Sequence, residues 1–167
     1  MKPRLLSKSR FKTAYECPRK LYWNEHPEYG NTMRESEFMA ALAEGGFQVG
    51  ALAKLYISGG ADLDGIFGDE AVQKTNELLK NENVTIYEAA LQVEGYLVRV
   101  DVLRKIGNQI DLIEVKSKSY DFETPFFGKH GSLSSDWEPY LIDIAFQTFV
   151  AQKAFPNFSF APYLHLS

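Results

Sequence analysis

The sequence predicts an α/β fold in which helices flank a mixed central sheet. Three consecutive segments are rich in Val, Ile, Leu and Tyr and have the composition of strands: residues 84–92, 97–104 and 109–116. Glu94-Gly95 and Gly107-Asn108 lie at the breaks, and glycine and asparagine tolerate the positive φ of tight hairpin turns. Segments with helical periodicity lie before and after this meander, so both kinds of element contribute to the core.

The N-terminal region predicts two short helical turns. Ser7 or Ser9 can cap a first amphipathic helix, and Pro18 favours the start of a second. Most aromatic side chains of this region are expected in the core, with Arg19 and Lys20 outside. These aromatic residues are Phe11, Tyr15, Tyr22 and Trp23.

A long helix is predicted next, from the capping box Thr32-x-x-Glu35 to about Tyr56. Its apolar residues recur at helical spacing and predict a buried stripe of Phe38, Leu42, Val49, Leu52 and Tyr56. Three glycines lie in this helix, each costing about 1 kcal/mol relative to alanine. Gly45, Gly46 and Gly50 therefore favour close packing against the sheet or a bend.

The remaining elements follow from caps and breakers. Asp69 is expected to cap a helix that ends at Asn81, and Ser135-x-x-Glu138 or Pro139 begins another, which Pro156 stops. The polar, aromatic segment 117–136 is long for a loop in a compact domain, and such loops are commonly functional or mobile. Residues 158–166 form a last strand-like segment.

Length and composition bound the class of protein. The 167 residues fit a single domain, 1–167, and its abrupt apolar end indicates the N-terminal part of a longer protein with further domains. No apolar run approaches the ~20 residues of a membrane span, and the first residues lack a signal core, so a cytoplasmic protein without a membrane partner is predicted. A single cysteine, Cys17, excludes an internal disulfide and any all-cysteine metal site built from this chain.

The charge is unevenly distributed. The formal net charge is −4, but residues 1–20 hold seven of the 18 cations and only one of the 22 anions. A basic arm on an acidic body is compatible with binding phosphates near a carboxylate-lined metal site. The charge distribution alone is equally consistent with a basic terminus that is simply exposed to solvent.

Three polar side chains lie among apolar neighbours in the second and third predicted strands. Glu114 and Lys116 are two residues apart and therefore share a face, and Asp101 comes close to them if the two strands pair. An acid within VRVDVL is costly to bury without a partner, which favours a metal ion over a salt bridge to Arg99 or Lys105. Two carboxylates and an amine could hold a divalent metal and a phosphate.

The element order, together with Asp101 and Glu114-Val115-Lys116, resembles the core of the PD-(D/E)xK nuclease superfamily, with Val100 in place of its proline. Ser7-x-Ser9 and the following Tyr15-x-Cys17-Pro18-x-x-x-Tyr22 resemble the opening of its RecB-like branch. That branch includes CRISPR-associated RecB-like exonucleases and AddB-type helicase-nucleases. The layout also resembles an uncharacterised bacterial family with an N-terminal domain of this kind.

The resemblance implies a restriction-endonuclease-like core that hydrolyses DNA phosphodiester bonds with Mg²⁺ or Mn²⁺. Asp101, Glu114 and the Val115 carbonyl would hold the metal, and Lys116 would orient the attacking water or stabilise the transition state. Gln147 matches the glutamine that the branch places beyond Glu-x-Lys and would position Lys116 or the phosphate.

The sequence departs from the branch at several positions. Its metal-binding histidine is absent, and Gln48 is the nearest candidate ligand on the long helix; its tyrosine is replaced by Ala151. Three of its four cluster cysteines are missing, so no iron–sulfur cluster is expected and Cys17 is predicted to be a small buried residue. DNA contacts are expected from Arg19, Lys20 and Lys118.

Two alternatives remain open. A catalytically inactive member of the same fold would bind nucleic acid without cleaving it, and the missing histidine and acidic body favour this alternative. In that third reading the domain is a protein-interaction module, with exposed aromatic residues around Phe126 and Trp137 contacting a partner.

Overall fold

A computed structural model describes residues 4–24, 26, 28–29, 37–121, 123, 125–128 and 130–167, with the backbone alone at 37–43. Within these residues the chain has an α/β fold, in which five helices flank a mixed sheet of six strands. The predicted fold class is confirmed. No helix in the described ranges is both long and apolar enough to cross a membrane.

The sheet is built around an antiparallel meander. Its strands are β1 (Leu6–Ser7), β2 (Ala61–Asp62), β3 (Asn83–Val93), β4 (Tyr96–Ile106), β5 (Gln109–Lys116) and β6 (Ser159–Leu166). The order is β2-β3-β4-β5-β6, with β2 and β6 parallel to their neighbours, and β1 pairs in parallel with the start of β4. The predicted meander and last strand are confirmed. β1 and β2 were not predicted, because two residues are too short to show a period.

The helices are α1 (Lys8–Glu16), α2 (Pro18–Asn24), α3 (Glu37–Tyr56), α4 (Gly68–Leu78) and α5 (Glu138–Ala154). The Ser7 hydroxyl caps α1 by accepting a hydrogen bond from the Arg10 backbone N–H, as predicted. Asp69 lies in the first turn of α4 rather than at its cap, and α4 ends before the predicted Asn81. The capping box at Thr32 and Glu35 lies outside the described residues.

Side chains from both faces of the sheet are buried. The larger core lies under α4 and α5 and includes Ile86, Leu103, Leu112, Ile144 and Val150. A smaller cluster on the other face joins Tyr87, Val102 and Ile113, with Ile57 packed against it. Ile57 follows the end of α3, and α3 lies near β5. The central strands are therefore covered on both faces near the meander.

The predicted apolar stripe of α3 is wrong at two of its three testable positions, since Val49 is half-buried. Leu52 and Tyr56 are exposed, at 47% and 75%, whereas Ala53 is buried. The side chains of Phe38 and Leu42 lie outside the described residues. A Cβ added at Gly45, Gly46 or Gly50 would meet no atom within 4 Å, so these glycines do not mark close packing.

The prediction for the N-terminal aromatic residues is also largely wrong. Phe11 packs against the core and stacks on Phe146 of α5, with ring centroids 4.2 Å apart. Tyr15 of α1 and Tyr22 and Trp23 of α2 are instead exposed. Trp137, which only the protein-interaction alternative placed on the surface, is fully buried.

Candidate cation site between β4, β5, α1 and α5

β4 and β5 bring two acids together at the place where the strands part. Their pairing begins at Val102 opposite Ile113, so Asp101 and Glu114 are the next residues outward on each strand. The ladder stops there, and the Val115 backbone N–H donates to Asp101 Oδ2 at 2.7 Å instead. A side chain thus replaces the next rung of the ladder and fixes the Asp101 carboxylate beside β5.

Glu114 is the centre of the cluster and is 1% exposed. Lys8 Nζ lies 2.9 and 3.1 Å from its two carboxylate oxygens. Lys116 Nζ donates to Oε1 at 2.5 Å, and Gln147 Nε2 donates to Oε2 at 2.6 Å. The predicted residues Glu114, Lys116 and Gln147 therefore meet, on the face of the sheet covered by α5.

A third acid, Asp143, joins the cluster from α5 and is also 1% exposed. Its Oδ2 accepts from Lys116 Nζ at 3.1 Å and from Lys12 Nζ at 3.4 Å. Lys116 therefore bridges Asp143 and Glu114. Asp143 Oδ1 and Gln147 Oε1 are buried and accept no hydrogen bond within the described part of the chain. Two buried oxygens without donors are unusual and point to a functional site.

Lys8 and Asp143 of this cluster were not predicted from the sequence. Asp143 carried a usable signal, because it lies one helical turn before Gln147 inside the apolar run LIDIAF. Like the acid within VRVDVL, an acid in this apolar run is costly to bury without a partner. Lys8 carried no signal beyond membership of the basic arm, since its contact with Glu114 spans 106 residues.

The charges in the cluster shift each other's pKa values. Burial raises the pKa of Asp101 to about 6, and the negative charge of Glu114 adds to this effect. Burial acts in the same direction on Glu114, but the ammonium groups of Lys8 and Lys116 outweigh it and lower the pKa of Glu114. Burial lowers the pKa of Lys8 and of Lys116, but the negative charge of Glu114 raises both pKa values. The net change is upward for both lysines. Both lysines therefore carry their charge at neutral pH.

The proposed salt-bridge partners of Asp101 are engaged elsewhere. Arg99 donates to Glu88 Oε2 at 3.0 Å and to the carbonyl oxygens of Ile66 and Leu63. Lys105 Nζ donates to the Asn81 carbonyl at 2.6 Å. The salt-bridge alternative for Asp101 is therefore wrong.

The regular alternation of side chains in β3 and β4 is interrupted next to Asp101. The β3–β4 ladder pairs Tyr87 with Val102 and Ala89 with Val100, so Glu88 and Asp101 lie between these pairs. Glu88 has a φ of 56°, which is rare for a non-glycine residue in a strand. Ile86 and Ala89 both belong to the core under α5, so the alternation of faces breaks between them. The same break occurs in β4, where Val100 faces that core and Val102 faces the opposite side.

The other predicted site residues lie outside these contacts. Gln48 is exposed on α3. Arg19 and Lys20 are exposed on α2, where Lys20 pairs with Glu16 at 2.5 Å. Lys118 Nζ lies 4.7 Å from the centre of the Trp137 ring. Cys17, predicted to be buried, is only half-buried.

A surface cleft of about 360 Å³ lies between α1 and α5. It is lined by Lys12, Tyr15, Glu16, Glu138, Pro139 and Ile142. Lys12 belongs to both the cleft and the cluster, because its ammonium also reaches Asp143. The cleft and the cluster therefore meet at Lys12.

The donor set fits a hard divalent cation in its chemistry. Asp101 and Glu114 supply carboxylate oxygens, and Asp143 Oδ1 and Gln147 Oε1 are buried oxygens that lack a donor in the described chain. In the described ranges, no group of three or more His, Cys, Asp or Glu side chains is arranged to hold a metal ion. Lys116 lies between Glu114 and Asp143 and contacts both, and Lys8 contacts both Glu114 oxygens. These ammonium groups occupy carboxylate oxygens that a metal ion would need.

Two comparisons with known proteins gave no relative. No protein-family model matches the chain. A search of the curated proteins likewise found no match. Function therefore has to follow from the chemistry of the Glu114 cluster.

Proposed function

We propose that the protein is a nuclease of the PD-(D/E)xK type that hydrolyses DNA phosphodiester bonds with Mg²⁺ or Mn²⁺. The observation that supports this proposal is the convergence of Glu114, Lys116 and Gln147 on one buried cluster, with Asp101 beside it. Carboxylates paired with a lysine on adjacent strands form the arrangement that the superfamily resemblance implies.

The metal would be held by Asp101, Glu114 and the Val115 carbonyl. A bound divalent cation would neutralise charge on the phosphate and make water a stronger acid. With a pKa of about 6, Asp101 is mostly ionised above pH 7 and can serve as a ligand. The hydrogen bond from the Val115 N–H fixes its orientation.

Side chains of the protein would orient the attacking water and stabilise the transition state. The Lys116 ammonium would orient the attacking water or stabilise the negative charge of the transition state. Asp143 and Glu114 hold that ammonium from two sides, at 3.1 and 2.5 Å. Gln147 fixes Glu114 through its amide N–H.

A second candidate function is nucleic-acid binding without cleavage. The observation that favours it is the Lys8 ammonium, which satisfies both Glu114 oxygens without any metal. In that case the lysines would compensate the acids permanently.

The test is a cleavage and binding assay with end-labelled single- and double-stranded DNA in Mn²⁺, Mg²⁺ or EDTA. Cleavage that requires metal and disappears in Asp101→Ala and Lys116→Ala supports the nuclease. Lys74→Ala is the matched control, since Lys74 forms only an exposed pair with Glu70 on α4. DNA binding without cleavage in all three solutions favours the second candidate, and the absence of both activities refutes the two together.

A further inference from the structure

Lys8 lies at the meeting point of three acids from three different elements. Its ammonium contacts both oxygens of Glu114, and Asp101 and Asp143 are close enough to interact with its charge. The Lys8 side chain is only 24% exposed. A largely buried lysine among three carboxylates occupies the position that a metal ion takes in an acidic site.

The placement of Lys8 is not explained by its own helix. It is the first residue of α1, where the positive end of the helix dipole disfavours a cation, and the first turn of α1 contains no acidic residue. The carboxylates of β4, β5 and α5 therefore hold the ammonium in place. Lys12, one turn further on, reaches only Asp143, at 3.4 Å, and is more exposed.

The backbone around Lys8 is fixed from both sides. Leu6 pairs with Tyr96 of β4, and its N–H donates to the Gly95 carbonyl at 2.8 Å. Phe11 stacks on Phe146 at 4.2 Å. Because a lysine stem has four carbons and is flexible, its ammonium can leave the cluster while α1 stays in position.

We propose that Lys8 is a tethered cation of this site, which occupies Glu114 without metal and competes with a divalent ion for its oxygens. The inference rests on the proposed function only in requiring that the site takes a divalent cation. Each Glu114 oxygen already accepts two hydrogen bonds, Oε1 from Lys8 and Lys116 and Oε2 from Lys8 and Gln147. Lys8 is the donor common to both oxygens, so a metal ion that binds them displaces Lys8 first. Removing the Lys8 ammonium therefore strengthens metal binding and leaves Lys116 as the remaining ammonium on Glu114.

The test measures Mn²⁺ affinity by isothermal titration calorimetry at pH 7.5 for the wild type, Lys8→Met and the control Lys74→Met. We expect Lys8→Met to bind Mn²⁺ at least about tenfold more tightly than the wild type, because a competing charge is gone. Lys74→Met should match the wild type. In EDTA, Lys8→Met should melt at a lower temperature than the wild type, and Mn²⁺ should raise its melting temperature more.

Each other outcome decides the question. Wild-type binding of Mn²⁺ with equal or weaker binding by Lys8→Met overturns the role of Lys8 and leaves the metal-dependent function standing. No binding by either protein overturns both. If Lys8→Met folds only in Mn²⁺, the inference is supported. If Lys8→Met and Lys8→Gln stay unfolded even in Mn²⁺, it is overturned, because metal then does not replace the ammonium.

Discussion

Asp101→Asn should stabilise the protein at neutral pH and not at acidic pH. The wild-type carboxyl is ionised above about pH 6 when folded, whereas in the unfolded chain it ionises near its ordinary pKa of 3.8. Between these values the folded state binds more protons than the unfolded state, so this group lowers stability as the pH rises from about 4 to about 6. Asparagine carries no charge and keeps an oxygen to accept the Val115 N–H.

The magnitude follows from the two pKa values. Each unit of difference corresponds to about 1.4 kcal/mol, so a change from 3.8 to about 6 amounts to about 3 kcal/mol at pH 7.5. At pH 4 the same calculation gives a destabilisation by Asp101 of only about 0.5 kcal/mol. The attraction of Asp101 to Lys8 is already contained in the raised pKa.

Urea unfolding of the wild type and Asp101→Asn in EDTA, at pH 4 and pH 7.5, measures both differences. We expect the variant to have a higher free energy of unfolding than the wild type at pH 7.5. We also expect it to lose nuclease activity, since a metal ligand is missing. A variant that is less stable than the wild type at pH 7.5, or equally favoured at both pH values, would refute the reasoning.

Four further predictions concern stability. Lys116→Met should lose about 2 kcal/mol in urea unfolding at pH 7, because two buried acids lose a counter-ion; an unchanged midpoint would contradict this. Phe146→Ala should lower the free energy of unfolding by about 3–4 kcal/mol and lower the melting temperature. A loss below about 1 kcal/mol would mean that the stacking of Phe146 on Phe11 is weak. Gly60→Ala should lose about 1–3 kcal/mol, because its Cβ would lie 2.6 Å from the Tyr87 ring. Gly46→Ala should gain about 0.5–1 kcal/mol, and a loss there would show that α3 is packed at this point.

The meander and half of the site could be predicted from local sequence. Strand composition and turn residues are local signals, and a period of two puts Glu114 and Lys116 on one face. Pairing of β4 with β5 then brings Asp101 alongside. Gln147 entered through the superfamily resemblance, and its contact with Glu114 agrees with that placement.

The remaining features depend on long-range packing. β1 is two residues long, so nothing local shows that it pairs with β4 and delivers Lys8 to Glu114. The apolar pattern of α3 predicts burial, but a pattern does not say whether a partner covers it, and Tyr56 is exposed. The break in alternation near Glu88 likewise contradicts a strict period of two, which is all that sequence reasoning can assume for a strand.

The position of Lys8 near the start of the chain has a practical consequence for recombinant work. Cleavage by a protease just after Lys8 or at Arg10 would remove this ammonium together with β1. Batches that differ only at that end would then differ in apparent affinity for Mn²⁺, and a shortened batch would look like the better metalloprotein. Intact mass should therefore be checked before binding constants from two preparations are compared.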